Sequence, residues 1–273
     1  MKPLALITGA SSGIGEAYAR ALACQTYDLI IVARRADRLQ ALKAELEAKH
    51  GIQVEVLPAD LTCDRDIAGV EQRICDAKNL SLLINNAGFD QLGDFVEVPL
   101  EKHLGMLKIH LEATIRFCHA ALPAMRQRRG GGIINVSSMG GLEPLPQNSL
   151  YCATKAGLIM FTKVLAGEEQ PHHIAVQVLC PGYTYTEIFD TVGFRGLRVN
   201  RIPRFLWMSA EDVVNESLAG LRPGKAVVIP GLANRILYGF LANPIGRRLN
   251  RSAWRWLYPK HKQETETTTD QQR

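Results

Sequence analysis

Residues 3–15 of this 273-residue chain read Pro-Leu-Ala-Leu-Ile-Thr-Gly-Ala-Ser-Ser-Gly-Ile-Gly, and this stretch decides the fold. Its apolar beginning is typical of a buried parallel strand, and a helical pattern follows at residues 16–22. Glycines between a strand and a helix permit a tight turn, and the helix end presents free N–H groups and a partial positive charge. The stretch therefore predicts a binding site for a dinucleotide pyrophosphate. Its spacing, G-x-x-x-G-x-G, differs from the commoner G-x-G-x-x-G, and an ordinary tight turn is the alternative interpretation.

Apolar runs alternate with helical patterns along the rest of the chain. In residues 36–49, Leu39, Leu42 and Leu46 recur at helical spacing. Alternating strands and helices with continuously apolar strands favour an α/β fold, a parallel sheet covered by helices on both faces. The predicted strands lie near residues 4–8, 27–33, 52–57, 81–85, 132–137, 174–180 and 226–230.

The composition is that of an ordinary globular protein, with 47% hydrophobic and 22% charged residues. At 273 residues, one α/β domain is more economical than two. The net charge of +5 is accompanied by no nucleic-acid-binding motif, so we expect no nucleic-acid partner. The six cysteines are scattered without C-x-x-C pairs or neighbouring histidine clusters, which argues against a metal site and against a disulfide framework.

The beginning of the sequence carries no pattern of a targeting segment. Met1 and Lys2 lead straight into the first predicted strand, which leaves no room for a cleaved signal peptide. No apolar stretch reaches the roughly 18 residues that suggest a membrane-spanning helix. We therefore expect a cytoplasmic protein.

Three side chains between residues 138 and 155 have the spacing of a proton-transfer site. Tyr151 and Lys155 are four residues apart, one turn of a helix, so the ammonium group lies near the phenol. A free phenol has a pKa of about 10, and a nearby cation stabilises phenolate. Ser138 ends an apolar run, and its hydroxyl can hydrogen-bond the substrate oxygen that Tyr151 protonates or deprotonates. Tyr-x-x-x-Lys alone is a weak signal, but with the serine and the glycine turn it indicates an acid–base site.

Ordered motifs extend over about residues 4–190, and they are Thr8-Gly-Ala-Ser-Ser-Gly-Ile-Gly15, Asn85-Asn-Ala-Gly88, Ser138, Tyr151-x-x-x-Lys155 and Pro181-Gly182. In order and spacing they resemble the short-chain dehydrogenase/reductase family. The resemblance implies a single Rossmann-type domain, a doubly wound parallel sheet with helices on both faces. It also implies a nicotinamide cofactor and the interconversion of carbonyl and alcohol groups.

The resemblance also implies roles for individual residues. Tyr151 would be the general acid/base and Ser138 would orient the substrate oxygen. Lys155 would hold the nicotinamide ribose and lower the pKa of Tyr151. The expected cofactor-binding residues are Gly9, Ser11, Ser12, Gly13, Ile14 and Gly15 of the glycine turn, Arg34 and Arg35, the adenine-contacting pair Asp60 and Leu61, the ribose-side turn Asn86, Ala87 and Gly88, and Tyr151, Lys155, Pro181, Gly182, Thr184 and Thr186.

The end of the second predicted strand indicates which nicotinamide cofactor is used. Enzymes that prefer NAD carry an acidic residue near this point, which hydrogen-bonds the ribose hydroxyls. Ala33 occupies that place here, and Arg34 and Arg35 follow. Guanidinium groups make charge-assisted hydrogen bonds with phosphate, which favours the 2′-phosphate of NADP(H), with Arg34 the stronger candidate. The alternative is that both arginines are simply solvated.

One residue departs from the family pattern. In the segment Lys108-Ile-His-Leu111, His110 stands where family members usually carry an Asn that helps to hold a water next to the catalytic lysine. His110 is interpreted as a relay group that titrates near neutrality, as a buried structural histidine, or as a sign of impaired catalysis. We expect an active enzyme, because Ser138, Tyr151 and Lys155 are all present.

The segment after Pro181-Gly182, up to about Met208, is expected to cover the substrate pocket. It is rich in aromatic residues, which indicates a hydrophobic ketone or aldehyde as the substrate. The function expected from all these features is that of an NADPH-dependent carbonyl reductase or alcohol dehydrogenase, assembled as a homodimer or homotetramer. The alternative is a catalytically weak NADP-binding sensor or interaction protein of the same fold.

The C-terminal part of the sequence extends beyond the family core. We expect a catalytic domain at residues 1–234, a basic aromatic extension at 235–262 and a disordered tail at 263–273. The extension contains seven Lys and Arg residues and no Asp or Glu. It can lie on an anionic membrane surface with its aromatic rings at the headgroups. Alternatively, its aromatic residues pack over the pocket or against another subunit.

Overall fold

The fold is built around one parallel sheet. The structure, a computed structural model, describes residues 2–187 and 201–241. Within these residues the strands of the main sheet occur in the order β3-β2-β1-β4-β5-β6-β9, and all neighbouring strands are parallel. In chain order the strands are β1 (Leu4–Thr8), β2 (Asp28–Ala33), β3 (Val54–Pro58), β4 (Leu80–Asn85), β5 (Gly131–Val136), β6 (Ile174–Leu179), the separately paired β7 (Tyr183–Thr184) and β8 (Trp207–Met208), and β9 (Val227–Val228).

Helices connect the strands of the sheet. A π-helical segment, Lys108–Glu112, joins the fourth helix to the fifth without a break. The α-helices of the described residues are α1 (Gly13–Cys24), α2 (Ala36–His50), α3 (Asp64–Asp76), α4 (Leu100–Leu107), α5 (Ala113–Arg128), α6 (Ser149–Glu169), α7 (Ala210–Gly220) and α8 (Leu232–Leu241).

Both faces of the sheet are covered, as the apolar strands predict. Along β1, Ala5 and Ile7 belong to one buried cluster, which the apolar residues of α1, α2 and α7 complete. Leu4 and Leu6 belong to the cluster on the other face, with residues of α3 and α5. A strand that is buried on both faces reads as a continuous apolar run, because side chains alternate between the two faces.

The sheet order also determines where a ligand can bind. The chain order reverses beside β1, which has β2 on one side and β4 on the other. The connections on the two sides therefore diverge and leave a crevice at the carboxyl ends of these strands. Thr8 and Asn85 end β1 and β4, so the glycine turn and the Asn-Asn-Ala-Gly motif face this crevice.

The ends of all predicted strands are confirmed to within about two residues, and the last strand is the most shortened. The strand expected at 226–230 is reduced to Val227–Val228, which pairs only with Val178 and Leu179 of β6. Pro230 follows closely and has no N–H to donate to a sheet. Residues 242–262 of the basic extension, the tail 263–273 and residues 188–200 of the expected pocket cover lie outside the described residues.

Candidate functional site

A cleft of about 1400 Å³ lies at the carboxyl edge of the sheet. The turn after β1, the segments after β4 and β5, the start of α6 and part of α8 line it. Gly15 alone among the predicted site residues does not line the cleft. It packs against the backbone oxygen of Gly9, which leaves no room for a Cβ atom. The predicted residues that line the cleft are Gly9, Ser11, Ser12, Gly13, Ile14, Arg34, Arg35, Asp60, Leu61, Asn86, Ala87, Gly88, His110, Ser138, Tyr151, Lys155, Pro181, Gly182, Thr184 and Thr186.

Hydrogen bonds join the glycine turn to the turn that follows β4. Gly9 has a φ of +70°, and a Cβ atom there would lie 2.7 Å from Nδ2 of Asn86. The same Nδ2 donates a hydrogen bond of 2.9 Å to the backbone oxygen of Thr8. The Thr8 hydroxyl accepts a hydrogen bond of 3.0 Å from the backbone N–H of Ala87. The backbone of both turns can therefore approach a ligand closely without rearrangement.

The two arginines after β2 lie in different environments. The Arg35 guanidinium donates to the hydroxyls of Ser11 at 3.1 Å and Ser12 at 2.7 Å, and it forms an ion pair of 2.9 Å with Glu187. Arg34 is exposed and lines the cleft. Arg35 is thus engaged with the glycine turn, whereas Arg34 lies in the open part of the site.

The predicted acid–base residues are brought together at the carboxyl end of β5. The Ser138 hydroxyl accepts a hydrogen bond of 3.0 Å from the backbone N–H of Gly140. The Lys155 ammonium donates to the backbone oxygen of Val136 at 3.0 Å and lies 5.6 Å from the centre of the Tyr151 ring. Ser138, Tyr151 and Lys155 therefore meet in the wall of the cleft.

The pKa of Tyr151 shifts in the direction opposite to the expected one. Burial raises it above its ordinary value, the negative charge of Asp90 raises it further, and the hydrogen bond with Ser138 acts in the opposite direction. The pKa of Lys155 is lowered to about 8, mainly by burial and against the effect of Asp90. Without a bound cofactor, the effect of desolvation on the pKa of the phenol is larger than the effect of the nearby ammonium group. Tyr151 therefore stays protonated at neutral pH.

His110 lies in the π-helical segment and is almost completely buried. Its Nε2 accepts a hydrogen bond of 3.3 Å from the backbone N–H of Phe89. Its Nδ1 therefore carries the proton and donates to the Thr154 hydroxyl at 3.0 Å, and that hydroxyl donates to the backbone oxygen of Tyr151 at 2.9 Å. Burial and the charge of Lys155 hold the pKa of His110 well below its usual value. The lowered pKa and the two hydrogen bonds favour the structural interpretation over that of a relay group that titrates near neutrality.

Sequence reasoning missed a polar pair in the wall of the cleft. Asp90 follows the Asn-Asn-Ala-Gly motif, and its carboxylate accepts a hydrogen bond of 2.9 Å from Nδ2 of Asn148. Burial raises the pKa of Asp90 to about 6, against the effects of this hydrogen bond and of Lys155. The available signal was Asn148, three residues before Tyr151 and hence on the same face of one helix.

Comparison with known proteins identifies the family. Residues 3–193 match the family described as "short chain dehydrogenase". This match covers more than half of the chain, and the chain therefore belongs to the short-chain dehydrogenase family of oxidoreductases. A very-long-chain 3-oxoacyl-CoA reductase from Pyrenophora tritici-repentis is 34% identical over 178 residues, which are 63% of this chain and 52% of the relative. The chain thus spans about half the length of that relative.

Solved structures support the same conclusion. A short-chain dehydrogenase from Sphingobium yanoikuyae, in complex with NADPH, is 34% identical and has a TM-score of 0.80, with 97% of this chain and 99% of that chain covered. An alcohol dehydrogenase from Comamonas testosteroni, described as specific for bulky-bulky ketones, is 30% identical with a TM-score of 0.76, and the coverage is 97% and 98%. The predicted Rossmann-type fold is confirmed.

Membrane-spanning helices and metal-binding clusters are both absent from the part of the chain that the structure describes. None of its helices combines the length and the apolar character that crossing a membrane requires. Within the same residues, no group of three or more His, Cys, Asp or Glu side chains is placed to hold a metal ion.

Proposed function

We propose that the protein is an NADPH-dependent carbonyl reductase or alcohol dehydrogenase that acts on hydrophobic ketones or aldehydes, with Tyr151 as the general acid/base. The observation that carries this proposal is that Ser138, Tyr151 and Lys155 meet in the same cleft that the glycine turn lines. Such a cleft accommodates a long cofactor and a carbonyl compound side by side.

The residues of the cleft fit a dinucleotide. A Cβ atom at Gly9 would collide with its neighbours, so the backbone there is open to a pyrophosphate. Ser12, the N-cap residue of α1, makes no side-chain capping bond, which leaves the helix end available for an anion. Arg34 would hold the 2′-phosphate of NADP(H), and Lys155 the nicotinamide ribose. The cofactor supplies the hydride for reduction, or accepts it in the reverse direction.

Tyr151 provides the proton for the substrate oxygen. Because the pKa of Tyr151 is raised, the phenol stays protonated at neutral pH and is ready to act as an acid in the direction of reduction. Ser138 orients the same oxygen by a hydrogen bond. Lys155, whose pKa is about 8, can pass a replacement proton towards the phenolate that the reaction leaves.

The apolar part of the cleft supports a hydrophobic substrate. Leu145, Ile202, Leu206 and Leu237 are among the apolar residues that line the cleft. The structural relative from Comamonas testosteroni is described as specific for bulky ketones, and the relative from Pyrenophora tritici-repentis is named for a 3-oxoacyl substrate.

Oxidation of NADPH with a panel of ketones, aldehydes and quinones tests the proposal. We expect turnover with several hydrophobic carbonyl compounds. NADPH binding without turnover of any of them would favour the alternative, a sensor or interaction protein of the same fold. Its only support in the sequence is His110, and the structure gives that residue two hydrogen bonds typical of a structural role.

We also propose that the chain forms a homodimer or homotetramer. Exposed apolar residues lie on α4, α5 and α6, the kind of surface that monomers rarely leave uncovered. Sedimentation velocity of the full chain tests this, and a monomer at micromolar concentration would contradict it. The residues concerned are Leu104, Leu107, Ile115, Met160 and Val164.

Helix α8 bears on the two interpretations of the basic extension. Its Leu237 and Tyr238 line the cleft, as a pocket cover requires. Leu232, Ile236 and Phe240 lie on a different face and are exposed. We propose that this face and the basic residues of 235–262 make peripheral contact with anionic membranes from the cytoplasmic side. Salt-sensitive co-sedimentation with anionic but not neutral vesicles would support this contact, and no binding to either would leave the pocket or subunit role.

A further inference from the structure

The pair Asp90–Asn148 is a polar feature in a cleft wall that otherwise contains many apolar side chains. The two residues are only 7% and 4% exposed, yet both line the cleft on the side of Tyr151. One carboxylate oxygen of Asp90 accepts the Asn148 amide at 2.9 Å, and the other accepts the backbone N–H of Gln91 at 2.7 Å. A buried carboxylate costs free energy unless it is fully paired, so its presence calls for an explanation.

Asn148 does not make the hydrogen bond that its position in the helix favours. It is the N-cap residue of α6, where Asn usually accepts a hydrogen bond from the first turn of the helix. Here it makes no capping bond, and its Oδ1 is buried without a partner. Its amide group is turned towards Asp90 instead. Side chains that break local rules in this way are found at functional sites more than elsewhere.

Neighbouring contacts hold the pair in place. The backbone N–H of Gly93 donates to the backbone oxygen of Gln147 at 2.9 Å, and Nε2 of Gln147 donates to Asp94 at 3.3 Å. The loop after β4 and the start of α6 are therefore joined at three points.

The chemistry of the pair selects its ligand. An ionised carboxylate offers about four acceptor positions and no donor, and the protein uses two of them. Asn148 lies three residues before Tyr151, a rise of about 4.5 Å along the helix axis. The negative charge of Asp90 is near enough to the Tyr151 phenol to raise its pKa. A ligand group at this point must donate a hydrogen bond, and it must lie a few bonds from the carbonyl that Tyr151 protonates.

We propose that Asp90 and Asn148 form a subsite for a hydroxyl group on the α or β carbon of the carbonyl substrate. This inference rests on the proposed carbonyl reductase function and narrows it to hydroxy-ketones and hydroxy-aldehydes with an apolar remainder. Asp90 accepts the hydrogen bond from the hydroxyl, and Asn148 holds the carboxylate in position. Sites that are built to bind a hydroxyl discriminate strongly against the analogue that lacks it.

Matched ketones test the subsite. Propiophenone and its two derivatives with a hydroxyl on the α or the β carbon are compared by kcat/KM in the wild-type protein, Asp90→Asn and Asp94→Asn. Asp94 belongs to the same loop and makes the same kind of contact, but it does not line the cleft, which makes it the control. We expect the wild type to prefer at least one hydroxy derivative by about tenfold or more over propiophenone. The preference should fall at least about fivefold in Asp90→Asn and persist in Asp94→Asn. Both changes replace a charged acceptor by a neutral one, but only Asp90 lies in the wall of the cleft.

Binding to the complex with NADP⁺, in which no reduction can occur, separates this inference from the proposed function. Calorimetric titration of that complex with the three ketones should rank them in the same order. A preference that is the same in Asp90→Asn as in the wild type, or equal binding of all three ketones, would overturn the subsite. Absence of turnover with every ketone would contradict the proposed function, and the binding ranking would still decide for or against the subsite.

Discussion

The cofactor half and the substrate half of the cleft are held by different means. The cofactor half depends on backbone, since Gly9 has a positive φ and the turns after β1 and β4 are joined through Thr8 and Asn86. The substrate half depends on side chains such as Asp90 and Asn148, which come from separate loops. A backbone requirement restricts residue types strongly, whereas a side-chain contact between loops leaves little trace in the sequence. The first half is therefore easier to predict than the second.

The largest expected effect lies where the two halves meet. Tyr151→Phe removes the transferable proton and keeps the ring, so kcat should fall by about 10²–10⁴-fold while NADPH still binds. Tyr183→Phe is the control, because Tyr183 is a second, partly buried phenol that lines the same cleft. Steady-state kinetics and NADPH titration measure both effects. If Tyr151→Phe kept more than about a tenth of the wild-type kcat, the proposed acid would be wrong.

The next largest effect distinguishes the roles of Arg34 and Arg35 in the cofactor half. Arg34→Ala should weaken NADPH binding by about 10–150-fold and leave NADH binding unchanged, because only NADPH carries the 2′-phosphate. Arg35→Ala should weaken both cofactors, since Arg35 also holds Ser11 and Ser12 of the glycine turn. Fluorescence titration with each cofactor measures this. Equal losses of both cofactors in Arg34→Ala would assign that residue a structural role.

In the substrate half we expect that replacing Asp90 by Asn increases the free energy of unfolding. The pKa of Asp90 is about 6 in the folded chain, against an ordinary value of 3.8. The folded state therefore binds the Asp90 proton more strongly than the unfolded state, and this group makes the free energy of unfolding fall as pH rises from about 4 to 6. Asp90→Asn removes that penalty and should raise the free energy of unfolding by about 1–3 kcal/mol at pH 7.5.

Urea unfolding at pH 7.5 and near pH 4 measures this difference. The gain should become small near pH 4, where the carboxyl of the wild type is protonated in the folded state and partly protonated in the unfolded state. Asp94→Asn is again the matched control. A loss of stability in Asp90→Asn at pH 7.5 would show that Asp90 serves the fold instead of a ligand.

The smallest effect is expected at His110. Because burial and Lys155 keep the imidazole neutral, the kcat of the wild type should show no titration of this residue between about pH 6 and 8. His110→Asn should change kcat by less than about threefold and leave the shape of the pH profile unaltered. The measurement is kcat against pH for both proteins. An ionisation near pH 6.5 that disappears in the variant would restore the relay hypothesis.

The features predicted from the sequence have a common basis. Apolar runs such as Leu29–Val32 must be buried on both faces of a parallel sheet, so their order predicts the strands and the crevice beside β1. The glycine turn is recognisable because no other residue tolerates the close approach at Gly9. Tyr151 and Lys155 are found because four residues make one helical turn. In each case the physical constraint acts between residues that are close in the sequence, or on a single strand.

The features that needed the tertiary structure depend on distant parts of the chain and on burial. The pKa of Tyr151 rises because the folded chain removes water from the phenol and brings Asp90 near it, which spacing on one helix does not reveal. His110 stays neutral because burial and the charge of Lys155 lower its pKa, and Phe89 and Thr154 hydrogen-bond its two ring nitrogens. Asp90 meets Asn148 across 58 positions of sequence. Desolvation and contacts between loops depend on how the chain packs as a whole, and so only the folded structure decides them.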